Sequence, residues 1–260
     1  MDNIIEYYED YDEDSRLIKD NAHRIEFITT VHYLDKYINS ESRILEVGAG
    51  TGKYSLYFAE KGCKVTALDL VPKHIDTIKG KAELSNIEID AVVGNALNLK
   101  CFEKESFDFV LCLGPLYHLS SEEDRSTCIK ECLRVLKKGG ILAVAYINRF
   151  ATFVNMITRD KKNVYDEGLL KITSDGLEFG DKRDCFYFSS YKEIESFMKN
   201  FNVNKIKNIA SDGIGGTLRN NLREFNEEEF NRWMDFHFMT CEDESLIGYS
   251  QHGLYICEKL

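Results

Sequence analysis

Hydrophobic and polar positions follow two rhythms along this chain. Ile25, Ile28, Val31, Leu34 and Ile38 recur at three- and four-residue steps, which predicts an amphipathic helix over 15–38. Beyond it, short β-branched runs at Arg43–Val47, Lys64–Leu68, Ile89–Val93, Phe107–Leu113 and Ile141–Ile147 are separated by helical stretches at Gly52–Lys61, Lys73–Leu84 and Glu122–Lys137. Strand, helix, strand repeated in this way predicts an α/β fold with a parallel sheet covered on both faces. The wholly apolar Phe109-Val110-Leu111-Cys112-Leu113 reads as a central strand. Lys137-Lys138-Gly139-Gly140 reads as a helix end, with basic residues at the negative pole and glycine beyond.

After Tyr146 the rhythm loosens. The stretch 148–188, with one helix expected around Ala151–Ile157, reads as an insertion capping the sheet edge. A helix at Tyr191–Phe201, a strand at Val203–Ala210, a helix at Glu227–Phe238 and a strand at Gly253–Glu258 complete the pattern. A single domain is expected: an N-terminal lid and helix over 1–40, a core over 41–147, the cap over 148–188 and the rest of the sheet over 189–260. The first fourteen residues hold seven acids and three tyrosines, enough like-charge repulsion to predict a tail or lid without stable structure.

Charge narrows the partners. With 33 Lys+Arg against 44 Asp+Glu the chain of 260 residues carries a net −11, and phosphate-neutralising cations are too few for nucleic acid or an anionic membrane surface. No apolar run approaches the roughly 20 residues of a membrane span, so a cytoplasmic protein is expected. The eight cysteines form no C-x-x-C pair and read as reduced, mostly buried thiols. Cys128 and Cys132 lie one helical turn apart without further ligands in nearby sequence, so no metal site is expected.

The sharpest chemical signal is Ile44-Leu45-Glu46-Val47-Gly48-Ala49-Gly50-Thr51-Gly52, a strand ending in an acid and turning through alternate glycines into a helix. Such a turn lets backbone approach a nucleotide-type ligand. The third glycine of a dinucleotide fingerprint is replaced by Lys53, and no phosphate-loop pattern is present. E-x-G-x-G-x-G after a first strand resembles the class I S-adenosylmethionine-dependent methyltransferases, small-molecule type.

That resemblance implies a Rossmann-like, seven-stranded, mostly parallel sheet and S-adenosyl-L-methionine as cofactor. It implies that Glu46 receives the methionine ammonium, that Gly48, Ala49, Gly50 and Gly52 pass under the carboxylate and ribose, and that Asp69 accepts the ribose hydroxyls. Leu70 would lie on the adenine, and Asn95, beside Ala96, stands where the family often has Asp and would accept from the adenine amino group. Tyr7-Tyr8, Arg16-Leu17, His23, Glu26-Phe27, the strand exit Leu113-Gly114-Pro115-Leu116-Tyr117-His118-Leu119 and the segment Gly248–Ile256 are similar to one group of these enzymes.

Ligands of open α/β sheets sit beyond the carboxyl ends of the strands. His118 and Tyr117, just after Pro115, are therefore the candidate catalytic pair: His118 as base or acceptor-orienting group, Tyr117 lining the pocket. The plainer role for His118 is a hydrogen-bonded residue at a helix entry. Tyr8 is assigned to the cofactor, facing the sulfonium, unless the tyrosines belong to a solvated tail. His23, His237 and His252 have either a substrate role or a structural one. The expected activity is methyl transfer to an O or N nucleophile of a small molecule by a monomer or homodimer. A sensor binding S-adenosylmethionine without turnover, and less favourably a nicotinamide oxidoreductase, are the alternatives.

Overall fold

The computed structural model describes residues 2–177 and 185–260; part of the expected cap, 178–184, lies outside the described residues. In chain order the elements are α1 (Asp2–Asp10), α2 (Asn21–Leu34), β1 (Arg43–Val47), α3 (Lys53–Glu60), β2 (Lys64–Asp69), α4 (Pro72–Ser85), β3 (Asp90–Val93), β4 (Phe107–Cys112), α5 (Glu122–Val135), β5 (Leu136–Ile147), α6 (Arg149–Arg159), α7 (Glu167–Asp175), α8 (Tyr191–Met198), β6 (Val203–Ala210), α9 (Arg219–Glu224), α10 (Glu227–Thr240), α11 (Glu244–Ile247) and β7 (His252–Lys259). Seven strands form one sheet in the order β3-β2-β1-β4-β5-β7-β6, and only β7 runs antiparallel to its neighbours.

Alternation along the central strands divides two apolar cores. Ile44, Phe109, Leu111, Ile141, Ala143, Leu254 and Ile256 pack on one face with Val31, Leu34, Tyr54 and Phe58. Their neighbours Leu45, Val110, Cys112, Leu142, Val144, Tyr255 and Cys257 pack on the other with Ile129, Ile194 and Met198. Burial on both faces explains why these strands read as continuous apolar runs. No helix among the described residues is long and apolar enough to cross a membrane.

Three local expectations are corrected. The N-terminal segment is not an unstructured tail: Asp2–Asp10 is helical, because Ile4 and Tyr8 share one face and pack into the cleft below, outweighing the repulsion of the acids on the exposed face. The second helix is shorter than 15–38, starting where Asp20 caps its N-terminus by accepting from the backbone N–H of His23. Lys137 to Gly140 do not close a helix. Helix α5 ends at Val135, Leu136 pairs with Phe107, and the chain bulges before Ile141 pairs with Phe109. Gly139 supplies a positive φ of 72° in that bulge, and Lys137 reaches Asp108 at 2.6 Å. Asn148 and Ser189, at the two ends of the expected cap, are joined by a β-bridge.

Candidate active site

The carboxyl ends of β1 to β4, covered by residues of the N-terminal segment, enclose an open cleft of about 980 Å³. Glu46, Gly48, Ala49, Gly50, Asp69, Leu70, Asn95, Ala96, Leu113, Tyr117, His118 and Tyr8 all line it, so residues more than a hundred positions apart converge. Gly52 does not. It is the left-handed N-cap of α3 (φ 83°), and a Cβ there would meet Ile78 of α4 at 2.7 Å, so it serves helix packing under the loop. Gly48 is close-packed in the same sense, its virtual Cβ lying 2.6 Å from the Pro115 ring. Gly50 faces the cleft, with only the Glu13 side chain, 3.3 Å from a Cβ at that position, above it.

Asp69 organises the near end. Its Oδ2 accepts from the Gly50 N–H at 2.7 Å and its Oδ1 from the Val71 N–H at 2.8 Å, with His74 Nδ1 3.0 Å from the same Oδ1. The tips of β1 and β2 are thereby tied together. His74, on the first turn of α4, was missed by sequence reasoning; its position five residues after the acid was the available signal. Glu46 is buried at the end of β1 with the Ser55 hydroxyl as its hydrogen-bond donor. Burial, reinforced by Asp69, raises its carboxyl to about 8. A buried acid with no cation paired to it among the described residues fits the positively charged end of a cationic ligand. Asn95 turns its Oδ1 toward the Leu97 N–H, 2.9 Å away, so part of its acceptor capacity shapes the loop.

The opposite wall carries His118 and Tyr117 on the turn Pro115–His118. His118 Nδ1 lies 2.6 Å from the Cys185 carbonyl, an acceptor only, so Nδ1 carries the proton of the neutral ring. Nε2 is then the acceptor for the Tyr8 hydroxyl at 2.9 Å. Burial pushes this imidazole down to about 4, so it is neutral through the physiological range, its Nε2 lone pair taken up by the Tyr8 hydroxyl. The Tyr117 hydroxyl donates to the Leu113 carbonyl at 2.9 Å, which places it as a wall of the cleft. Tyr8 contacts both His74 and His118 edge-on. Helix α1 therefore lies across the cleft.

The other histidines divide. His237 is buried against Thr29 at 2.8 Å and takes no part in the cleft. His23 sits between Asp20 (2.6 Å) and Arg219 (2.9 Å), and His252 between Asp212 (2.8 Å) and Glu26 (3.4 Å). Burial alone would lower the His252 imidazole, yet Glu26 and Asp212 hold it above its ordinary value. Cys112, at the end of β4, joins Cys128 and Cys132 in a buried trio whose sulfur atoms lie within 4.8 Å of one another. The sequence pairs Cys128 with Cys132; only the packing of α5 on β4 adds the third.

Comparison with known proteins agrees with this geometry. Residues 45–144 match the family model described as a methyltransferase domain. Ubiquinone biosynthesis O-methyltransferase of Xanthomonas oryzae pv. oryzae is 34% identical over 108 residues, 42% of this chain and 44% of that protein. The Xylella fastidiosa enzyme of the same name is 34% identical over 118 residues, 45% and 47% of the two chains. The chain thus spans about half the length of these relatives. A structure of a SAM-dependent methyltransferase from Methanosarcina mazei superposes with a TM-score of 0.59 at 22% identity, covering 88% of this chain and 97% of that one. Magnesium protoporphyrin IX methyltransferase from Synechocystis with bound SAH gives 0.56 at 12% identity, covering 92% and 83%. A [4+2]-cyclase gives 0.59 at 16% identity, covering 90% and 81%. Residues 45–144 thus match a methyltransferase domain, and the chain shares its fold with S-adenosylmethionine-dependent methyltransferases of known structure.

Proposed function

We propose that this protein transfers the methyl group of S-adenosylmethionine to an O or N nucleophile of a small molecule. The observation that carries this reading is the Gly50 N–H bond to Asp69, which fixes the glycine turn and the acid at one end of a cleft whose other end presents His118. The bound cofactor supplies an electrophilic methyl on a sulfonium. Of the residues lining the cleft, Glu46 would take the ammonium end, Asp69 and the Gly48–Gly50 turn would hold the ribose side, and Leu70, Asn95 and Ala96 would hold the adenine. When bound, the cofactor would offer its methyl to the acceptor's lone pair, and the residues of the cleft would align the two. His118 Nε2 accepts the acceptor's proton once the Tyr8 hydroxyl has turned away from it. Residues 1–40 act as the lid and helix of a single domain, with 148–188 as its cap, in a cytoplasmic monomer or homodimer.

The test is direct: calorimetric titration with S-adenosylmethionine and with NADH, then a screen of phenols, amines and carboxylates scored by release of S-adenosylhomocysteine. S-adenosylmethionine binding with turnover is expected, with no competition from NADH. A second reading has one specific observation behind it, since a cyclase shares this fold. Cofactor binding without S-adenosylhomocysteine release from any acceptor would favour a role without methyl transfer.

A further inference from the structure

Behind the cofactor cleft lies a second chamber of about 930 Å³, which shares Tyr8, Glu13, Arg16 and Tyr117 with the cleft as a common wall. Its sides come from three parts of the chain: the N-terminal segment, the cap, and the loops after β6 and before β7. The body is aromatic. Tyr7 meets Phe186 edge-on at 5.4 Å, and Phe186 stacks on Tyr117 at 6.4 Å.

The charges of the chamber do not cancel locally. Arg16 holds Glu13 at 2.9 Å and Glu26 at 2.8 Å. Asp212 is satisfied by His252 at 2.8 Å and by the Ser250 hydroxyl at 2.6 Å. The carboxylates are therefore engaged. Arg159 and Arg219 are not: among the described residues Arg159 Nη1 reaches only Met156 Sδ at 3.8 Å, and Arg219 Nη1 reaches His23 Nε2 at 2.9 Å, with no carboxylate in ion-pair range of either. Burial, and next the charge of Arg159, hold the Arg219 guanidinium below its ordinary value, so the two cations feel each other. Asp20 and Asp212 act on Arg219 from beyond pairing distance, each being held by other partners, so an anion placed between the two guanidiniums would relieve their repulsion, and the planar fork suits a two-oxygen group.

We propose that this chamber is the acceptor pocket and that it selects small aromatic acceptors bearing an anionic oxyacid group, which Arg159 and Arg219 hold while the nucleophile faces the common wall. This rests on the methyltransferase reading. The anion end would be fixed at the cap and α9, the ring among Tyr7, Tyr117 and Phe186, and the nucleophile directed past Tyr117 toward His118.

The test uses the full chain saturated with S-adenosylhomocysteine and titrated with benzoate, phenyl phosphate, benzyl alcohol and benzylamine. Benzoate or phenyl phosphate should bind at least about 10-fold tighter than the neutral and cationic probes; which of the two is tighter identifies the oxyacid. Arg159→Gln, an exposed position that does not threaten folding, should weaken the anion by about 10-fold and leave S-adenosylhomocysteine affinity unchanged, and Arg219→Gln should do the same. Equal or tighter binding of benzylamine, no binding of either anion, or unaltered anion affinity in Arg159→Gln would overturn the proposal. Loss of S-adenosylhomocysteine binding in the wild type would instead overturn the methyltransferase reading, and the anion titration of the free protein would still decide the pocket.

Discussion

The cofactor cleft and the chamber behind it are built in opposite ways. Most of the cleft comes from the segments at the carboxyl ends of successive strands, at 46–53, 69–74, 94–96 and 113–119, each placed by the strand before it. The chamber takes residues from α1, α2, α6 and α9, from Phe186, and from the ends of β5 and β7, with no shared local pattern. The matched methyltransferase domain, 45–144, holds most of the first region and only Tyr117 of the second. A fold that fixes its cofactor site through sheet topology leaves its acceptor site to the elements added around the sheet. Relatives can then share the first and differ in the second.

His118 lines the cleft beside Tyr8 and Tyr117, which face both regions, and gives the largest expected effect. His118→Ala should lower turnover by about 10²- to 10⁴-fold with S-adenosylmethionine affinity nearly intact, as for loss of a general base. With the imidazole at about 4, the acid limb of the kcat profile should lie near pH 4 to 5 rather than near 6.5. A variant that melts lower but turns over normally would make the residue a clasp for Tyr8 and Cys185 alone.

Gly50→Val should weaken S-adenosylmethionine by more than about 100-fold while the oxyacid probes still bind, because a side chain at φ 54° would both strain the turn and fill the space beneath Glu13. Gly48→Val is the poorer probe, since its clash with Pro115 would disturb the turn carrying His118 as well. Affinity within a few-fold of wild type for Gly50→Val, measured by calorimetry, would move the cofactor away from the glycine turn.

Asp69→Ala should cost about 1.5–3 kcal/mol of cofactor affinity, the range for hydrogen bonds to a charged group. The same change removes the partner of the Gly50 and Val71 N–H groups and of His74, so a lower Tm should accompany it. An unchanged dissociation constant would place the ribose elsewhere.

The smallest effect sharpens the electrostatic side of the comparison. Glu46 has its carboxyl raised from 4.5 to about 8, so its contribution to stability is complete below pH 4.5 and is lost as pH rises through about 8. Glu46→Gln should therefore melt higher than wild type at pH 9, with the difference vanishing near pH 4. In the chamber Glu26 and Asp212 show the reverse: burial would raise them, but Arg16 and His252 for the first, and His252 for the second, hold them low. An identical pH–Tm curve for Glu46→Gln would show that the carboxyl is solvated in the free protein.

What the sequence by itself determined is the sheet and the cofactor end. Strands buried on both faces must be apolar and short, glycines must stand where backbone turns with positive φ, and acids at strand tips must face the cleft; all of these are local constraints that leave marks in the residues. β1 and β6 were legible to the residue, and so were the positions Glu46, Gly50 and Asp69. The tertiary structure alone decided the rest. Whether the acidic start of the chain forms a helix depended on a cleft for Tyr8 to enter, and the bulge at Lys137–Gly140 on Asp108 across the strand pair. His74 beside Asp69, Cys112 beside Cys128 and Arg219 beside His23 are pairings across elements, and one-dimensional periodicity carries no record of which distant surface an element packs against.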